Sequence, residues 1–198
     1  SRTHCKQLKQ KGLHRMSKQK QQQDSFFHNS AEYFQEFQGK IIAADQIKIA
    51  NFSGLNVAVI GANQLTISHL ALLIKQAQFV KVFQIKPHFV LPQTENAIQK
   101  IIAHPLISKN RHLFNNRVKS LLAIRYLESQ VSNTWMKRQL MPNSATEKKV
   151  FFKSDTYYSA LQKGNCKLIT WPIVKITKNA VQSMEGIEHL VDVIITTY

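Results

Sequence analysis

The sequence predicts an α/β protein: a parallel sheet with a helical insertion and a small antiparallel extension. Three observations carry this. Val57-Ala58-Val59-Ile60 is an unbroken apolar run closed by Gly61, as a strand covered on both faces requires. A stretch of helical period and a second apolar strand follow it. Strand texture then returns after Pro142 in several short, closely spaced runs.

Taken in order, residues 1 to 24 set Arg2, Lys6, Lys9, Lys11, Arg15, Lys18 and Lys20 among glutamines, with few large apolar side chains to bury. Residues 1–36 are expected to form a basic, Gln-rich arm or linker without stable order, and residues 37–198 the folded domain. A solvated tail is the plain interpretation of the arm; a nucleic-acid or membrane tether is the functional one.

After the Val57 strand, Ile67, Leu70, Ala71 and Ile74 recur on one helical face, which predicts a helix to about Ala77. Val80-Lys81-Val82-Phe83 supplies the next strand and completes a βαβ unit, closed by Pro87 and Pro92. Residues from about 95 to 140 lack any strand-like run, whereas Leu121, Leu122, Ile124 and Leu127 indicate helix. A helical insertion divided at Pro105 is expected there. The later strands are Val150-Phe151-Phe152, Lys167-Leu168-Ile169, Ile173 to Ile176, Ala180-Val181 and Val191 to Ile195. Glu185-Gly186 has the turn chemistry of a hairpin tip between the last two.

Composition narrows the partners. Twenty-seven Lys and Arg against eleven Asp and Glu give a net charge of +16, which favours anions: nucleic acid, an anionic surface or a phosphorylated cofactor. At 198 residues and 43% hydrophobic, one main domain is expected. Cys5 and Cys166 stand in unrelated contexts, so neither a disulfide framework nor a zinc site is indicated, and a cytoplasmic location fits. No apolar run reaches the roughly 18 to 20 residues of a membrane span. His69, His88, His104, His112 and His189 are scattered without metal-ligand spacing, and Ser68-His69 and Ser159 lack the setting of a hydrolase nucleophile.

Chemistry is expected at the first strand-to-helix turn. There a helix N-terminus offers unpaired N–H groups and the positive end of its dipole to a pyrophosphate. A full dinucleotide fingerprint reads GxGxxG, but Gly61-Ala62-Asn63-Gln64-Leu65-Thr66 keeps only the first glycine. Asn63 tolerates positive φ better than most residues, so the turn is expected to persist. At the end of the second strand, Gln84-Ile85-Lys86 offers one cation and no acid, which favours NADP over NAD; the alternative is that Lys86 is an ordinary surface lysine.

The run Gly54 to Gly61, followed by Val80 to Gln84 and Pro87, resembles the NADP-binding segment of flavin-containing and Baeyer-Villiger monooxygenases. A second block agrees in the same order: Ser154 to Gln162, Asn165, Pro172-Ile173, Ile176-Thr177, Val181, Gly186 to His189 and Asp192 to Ile195. The resemblance covers about residues 37 to 198 and implies a Rossmann-like, NADP-binding type of sheet. In that family NADPH reduces FAD, and the reduced flavin captures oxygen and transfers it to the substrate. The family's flavin is held mainly by another domain, and residues 1 to 36 resemble none of it. The resemblance therefore implies NADPH and the flavin domain of a longer chain as partners. FAD would be a cofactor only if that domain is supplied, with no metal, and nucleic acid is the lesser alternative.

The departures gather at functional positions. Phe37-Gln38-Gly39 resembles the start of the family's FxGxxxHxxxW signature, but Ala43 and Ile47 stand at its His and Trp places. Ile85 replaces the arginine expected for the 2′-phosphate, leaving Lys86, which lacks the bidentate fork. Where Baeyer-Villiger members place an arginine that supports the peroxyflavin, Lys148-Lys149 stand, which makes Lys149 the catalytic candidate. Gly61, Ala62, Asn63, Gln64, Leu65, Thr66, Gln84 and Lys86 are the cofactor-binding candidates. Tyr157 and Tyr158 are expected to pack rather than react. The chain opens on Ser1 and stops at Thr197-Tyr198, inside a segment that in the family continues, so it reads as an incomplete or degenerate portion with NADP binding weak or lost. The alternatives are a cofactor-free remnant acting as an interaction module, or a basic nucleic-acid-binding protein that uses Lys109, Arg111, Arg117, Lys119 and Arg125.

Overall fold

A computed structural model describes residues 34–93, 116–143, 145 and 149–197. Five strands make the main sheet: β1 (Lys40–Ala43), β2 (Asn56–Ile60), β3 (Phe79–Phe83), β6 (Cys166–Ile169) and β10 (Val193–Thr196). Their order is β1-β10-β2-β3-β6 and every pairing is parallel. Val57 pairs with Val80 on one side and Val193 on the other. The expected α/β class, parallel sheet and small antiparallel extension are all present.

Both faces of this sheet are covered, which is why its inner strands read as unbroken apolar runs. Val57, Val59, Val193 and Ile195 point into one core, with Ile67, Leu70, Leu73 and Ile74 of helix α1 (Gln64–Gln76). Ala58, Ile60 and Ile194 point into a second core with Phe83, Ile169, Ile173, Ile176 and Val181. The period of two along β2 thus divides one apolar run between two cores.

The second core is roofed by the antiparallel extension, β7 (Ile173–Ile176), β8 (Ala180–Ser183) and β9 (Glu188–Leu190), in the order β7-β8-β9. Here the expected hairpin is corrected. Its tip does carry Gly186 at φ 83°, but the returning strand is β9, and the 191–195 run instead enters the main sheet as β10, between β1 and β2. β9 alternates exposed Glu188, buried His189 and exposed Leu190, which suits an extension open on one face. β10 is buried throughout, as suits an interior strand with a core on each face.

Besides β9, two more strands lie outside the expected set. β1 lies at the sheet edge. β4 (Phe89–Leu91), between Pro87 and Pro92, pairs in parallel with β5 (Phe151–Lys153) in a separate two-stranded sheet, where the Phe89 and Phe151 rings lie 5.2 Å apart. Between β4 and β5 the described residues form α2 (Asn116–Gln130) and α3 (Thr134–Leu140), within the expected insertion. α2 buries Leu122, Ala123, Tyr126 and Leu127 and packs against β4. Pro105, Lys109, Arg111 and most of the N-terminal arm lie outside the described residues.

Candidate functional site

Chain direction across the sheet reverses at β2. From β2 the chain runs outward through β3 to β6, whereas β10 and β1 lie on its other side. Ligands of open parallel sheets bind beyond the carboxyl ends of the strands at such a reversal. Gly61 stands at that end of β2 with φ 89°, in the left-handed region that favours glycine, and its N–H donates to Phe83 O at 3.1 Å. Thr196 is buried at the end of β10, and Thr197 Oγ1 donates to Ile60 O at 3.4 Å. Gly61, Ala62, Thr66, Val59, Val82 and Tyr157 line a small apolar cleft at this edge, about 10 Å³, with room for little more than one water molecule.

Asn63 is the N-cap of α1, with extended backbone at φ −135° rather than a left-handed turn, so Gly61 alone supplies the reversal. Asn63 Oδ1 accepts the Thr66 N–H at 2.9 Å, and Thr66 Oγ1 accepts the Asn63 N–H at 3.0 Å. This reciprocal capping box leaves Gln64 and Leu65 as the first-turn amides that neither box member engages. The Gln64 side chain reaches away to β5, accepting from Lys153 N at 2.9 Å and donating to Lys153 O at 2.7 Å. Leu65 is 40% exposed beside it.

Gln84 is buried at the end of β3, where its N–H donates to Ile169 O at 2.9 Å. Its Oε1 accepts from the hydroxyl of Tyr157, on α4 (Tyr157–Leu161). Burial first, and Tyr158 beside it second, push the Tyr157 hydroxyl far above the ordinary phenol range, so it remains a proton donor. Lys86 is exposed just beyond, and it joins burial in holding His88 below the ordinary imidazole range. Lys149 is half-buried ahead of β5, and Lys148 is outside the described residues. The structure therefore gathers Gly61, Ala62, Asn63, Gln64, Leu65 and Thr66 in one turn, with Gln84 joined to Tyr157 behind it.

The signature fragment at Phe37 has a structural task. Phe37 lies in the second core, and a Cβ on Gly39 would stand 2.3 Å from Asp192 O. Asp192 in turn accepts Lys40 N–H at its carbonyl and Asn56 N–H at its carboxylate, 3.1 and 2.8 Å away, tying β1, β2 and β10 together. Asp192 was missed as an anchor because nothing in sequence connects it to Asn56, 136 residues earlier. Ile47, at the family's Trp place, is buried in the first core, and Ala43 is exposed. Tyr157 and Tyr158 pack as expected, with ring centroids 5.5 Å apart.

Other candidates resolve locally. His69 Nδ1 lies 2.8 Å from Leu65 O, and buried His189 packs edge-on to Phe83. Arg125 pairs with Glu128 at 3.0 Å on α2. Among the described residues no three His, Cys, Asp or Glu side chains gather as a metal site needs, and no helix is long and apolar enough to cross a membrane.

No family model matches the chain. It is 28% identical over 184 aligned residues to a Baeyer-Villiger monooxygenase of Pseudomonas aeruginosa, covering 81% of this chain and 35% of that protein. It is 30% identical over 160 residues to the FAD-binding monooxygenase ktnD of Aspergillus niger, covering 67% of this chain and 26% of that one. Cyclohexanone monooxygenase from Rhodococcus sp. Phi1 bound to NADP+ superposes with a TM-score of 0.66 at 16% identity, over 81% of this chain and 41% of its own. Oxidized steroid monooxygenase bound to NADP gives 0.63 at 16% identity, over 81% and 42%. These two likenesses establish a shared fold. The chain spans between about a quarter and a third of the length of the curated relatives it matches. In sequence the chain is similar to a Baeyer-Villiger monooxygenase and an FAD-binding monooxygenase, and in fold to NADP-bound cyclohexanone and steroid monooxygenases.

Proposed function

We propose that this chain is the NADP-side, Rossmann-like portion of a Baeyer-Villiger-type flavin monooxygenase. On this proposal it holds NADP weakly and performs no oxygenation until a flavin-binding portion is joined to it. The single observation that carries the proposal is the β2–Gly61–α1 turn at the reversal point of a parallel sheet, in a chain related to these enzymes.

The fit of the nucleotide is divided. At the adenosine end, exposed Lys86 beyond β3 suits a 2′-phosphate, and no acid stands in Gln84-Ile85-Lys86 to favour a bare ribose. At the pyrophosphate end, the Asn63 and Thr66 side chains engage first-turn donors, so the residues present do not fit the group well. Lys149 is the proposed cation toward the flavin side. Two cysteines without framework spacing suit the cytoplasm.

The test is thermal unfolding with nucleotide. A ligand that binds only the folded chain raises its Tm. Millimolar NADPH is expected to raise Tm slightly and NADH less, with Lys86→Ala removing the difference. Equal shifts with the two nucleotides would remove the NADP assignment. Absence of any shift would favour the second reading, a cofactor-free interaction module, which the self-capped α1 turn supports.

A further inference from the structure

The first turn of α1 disagrees with the nucleotide that its position implies. We infer that Asn63 and Thr66 close this turn to a dinucleotide pyrophosphate, and that removing their side-chain oxygens opens it. The inference rests on the Rossmann-like reading above.

A pyrophosphate at a helix N-terminus is held by first-turn N–H groups and by the positive end of the helix dipole. Here Asn63 Oδ1 takes the Thr66 N–H at 2.9 Å and sets its own partial negative charge at that end of α1. Thr66 Oγ1 takes the Asn63 N–H at 3.0 Å and donates to Asn63 O at 3.1 Å, so the box is held in both directions. Glycine at these places, the second and third of the fingerprint, brings no side-chain oxygen and leaves both donors available. Thr66 is also buried and lines the cleft beside Val59 and Tyr157, where the fingerprint's third glycine allows close packing.

A strap secures the closed turn. Gln64 grips both the N–H and the C=O of Lys153 and donates to Ser68 Oγ at 2.6 Å, binding the outer side of the turn to β5. An anion that takes the Thr66 N–H must displace the Asn63 carboxamide from it while the strap holds the backbone in place, and only the Gln64 and Leu65 amides stand outside the box.

The experiment titrates NADPH and adenosine 2′-phosphate into three proteins: the unmodified chain, Asn63→Gly, and Asn63→Gly with Thr66→Ala. Glycine is a tolerated N-cap, and ligand-free urea unfolding checks that each variant folds. The double variant is expected to bind NADPH at least about tenfold more tightly than the unmodified chain, the scale of regained hydrogen bonds to a charged group. Adenosine 2′-phosphate, which has no pyrophosphate, is expected to bind all three equally. If the folded double variant gains nothing for NADPH while adenosine 2′-phosphate still binds, the closure is overturned and the domain reading stands. If neither ligand binds any of the three, both fall. Micromolar NADPH binding by the unmodified chain would also overturn the closure.

Discussion

Tyr157, on α4, donates its hydroxyl to Gln84 Oε1 at the end of β3, across 73 residues of sequence and wholly inside the protein. The bond joins the helix that follows β5 to the sheet edge where the candidate site lies. Both partners are buried, so each depends on the other for satisfaction.

Tyr157→Phe is therefore expected to cost about 1 to 3 kcal/mol by leaving Gln84 Oε1 buried without its donor. Adding Gln84→Leu should recover part of that loss, because no polar atom then remains unpaired. Urea unfolding of the two single variants and the double variant measures the coupling. Additive losses would show that the two side chains do not depend on each other.

Stability is expected to fall at alkaline pH. Burial raises the Cys166 thiol from 9.0 to about 12, and burial aided by Asp155 raises the Tyr126 phenol from 10.0 to about 12. Tyr157 and Tyr158 move in the same direction. A group whose folded pKa is raised keeps its proton when the unfolded chain has lost it. Its contribution is then complete below the unfolded value and is lost as pH rises through the folded one. The midpoint of urea unfolding should hold up to about pH 9 and decline between 9 and 12. A midpoint unchanged through pH 11 would contradict this.

Gly39→Ala should destabilise by about 1 to 3 kcal/mol, because its Cβ would meet the backbone oxygen of Asp192, which a rotamer change cannot move. Gly164→Ala is the control. Its Cβ would find nothing within 4 Å, and a change within about 0.5 kcal/mol is expected. Equal effects in thermal unfolding would deny the close approach of β1 to the β9–β10 corner.

Asn63→Ala removes the N-cap oxygen and is expected to cost about 1 kcal/mol, whereas Asn63→Gly costs only a few tenths. The ordering can be read from urea midpoints without any nucleotide. Identical midpoints for the two variants would mean that the cap contributes little to α1.

Local chemistry was legible wherever one face or one turn decided the outcome. Val57 to Ile60 announced a doubly covered strand, Ile67 to Ile74 a helical face, and Gly61 the turn between them. The capping box is masked by the dinucleotide fingerprint, against which Asn63 and Thr66 count as missing glycines, although Asn at an N-cap three residues before Thr is itself a capping signal. β4 escaped because three residues between two prolines carry too little pattern. The 191–195 run has clear strand texture, but its neighbours β1 and β2 are chosen by pairing across the whole chain.

Apolar periodicity and turn chemistry act over a few residues, so most of the buried strands and helices, and the family they resemble, are legible from local pattern. Tertiary structure decided that Val193 to Thr196 would lie beside Asn56 to Ile60, that Asp192 would tie β1 to β2, and that Tyr157 would lock Gln84. Those outcomes depend on pairing and on satisfying buried polar atoms between residues more than seventy positions apart, which no local pattern specifies.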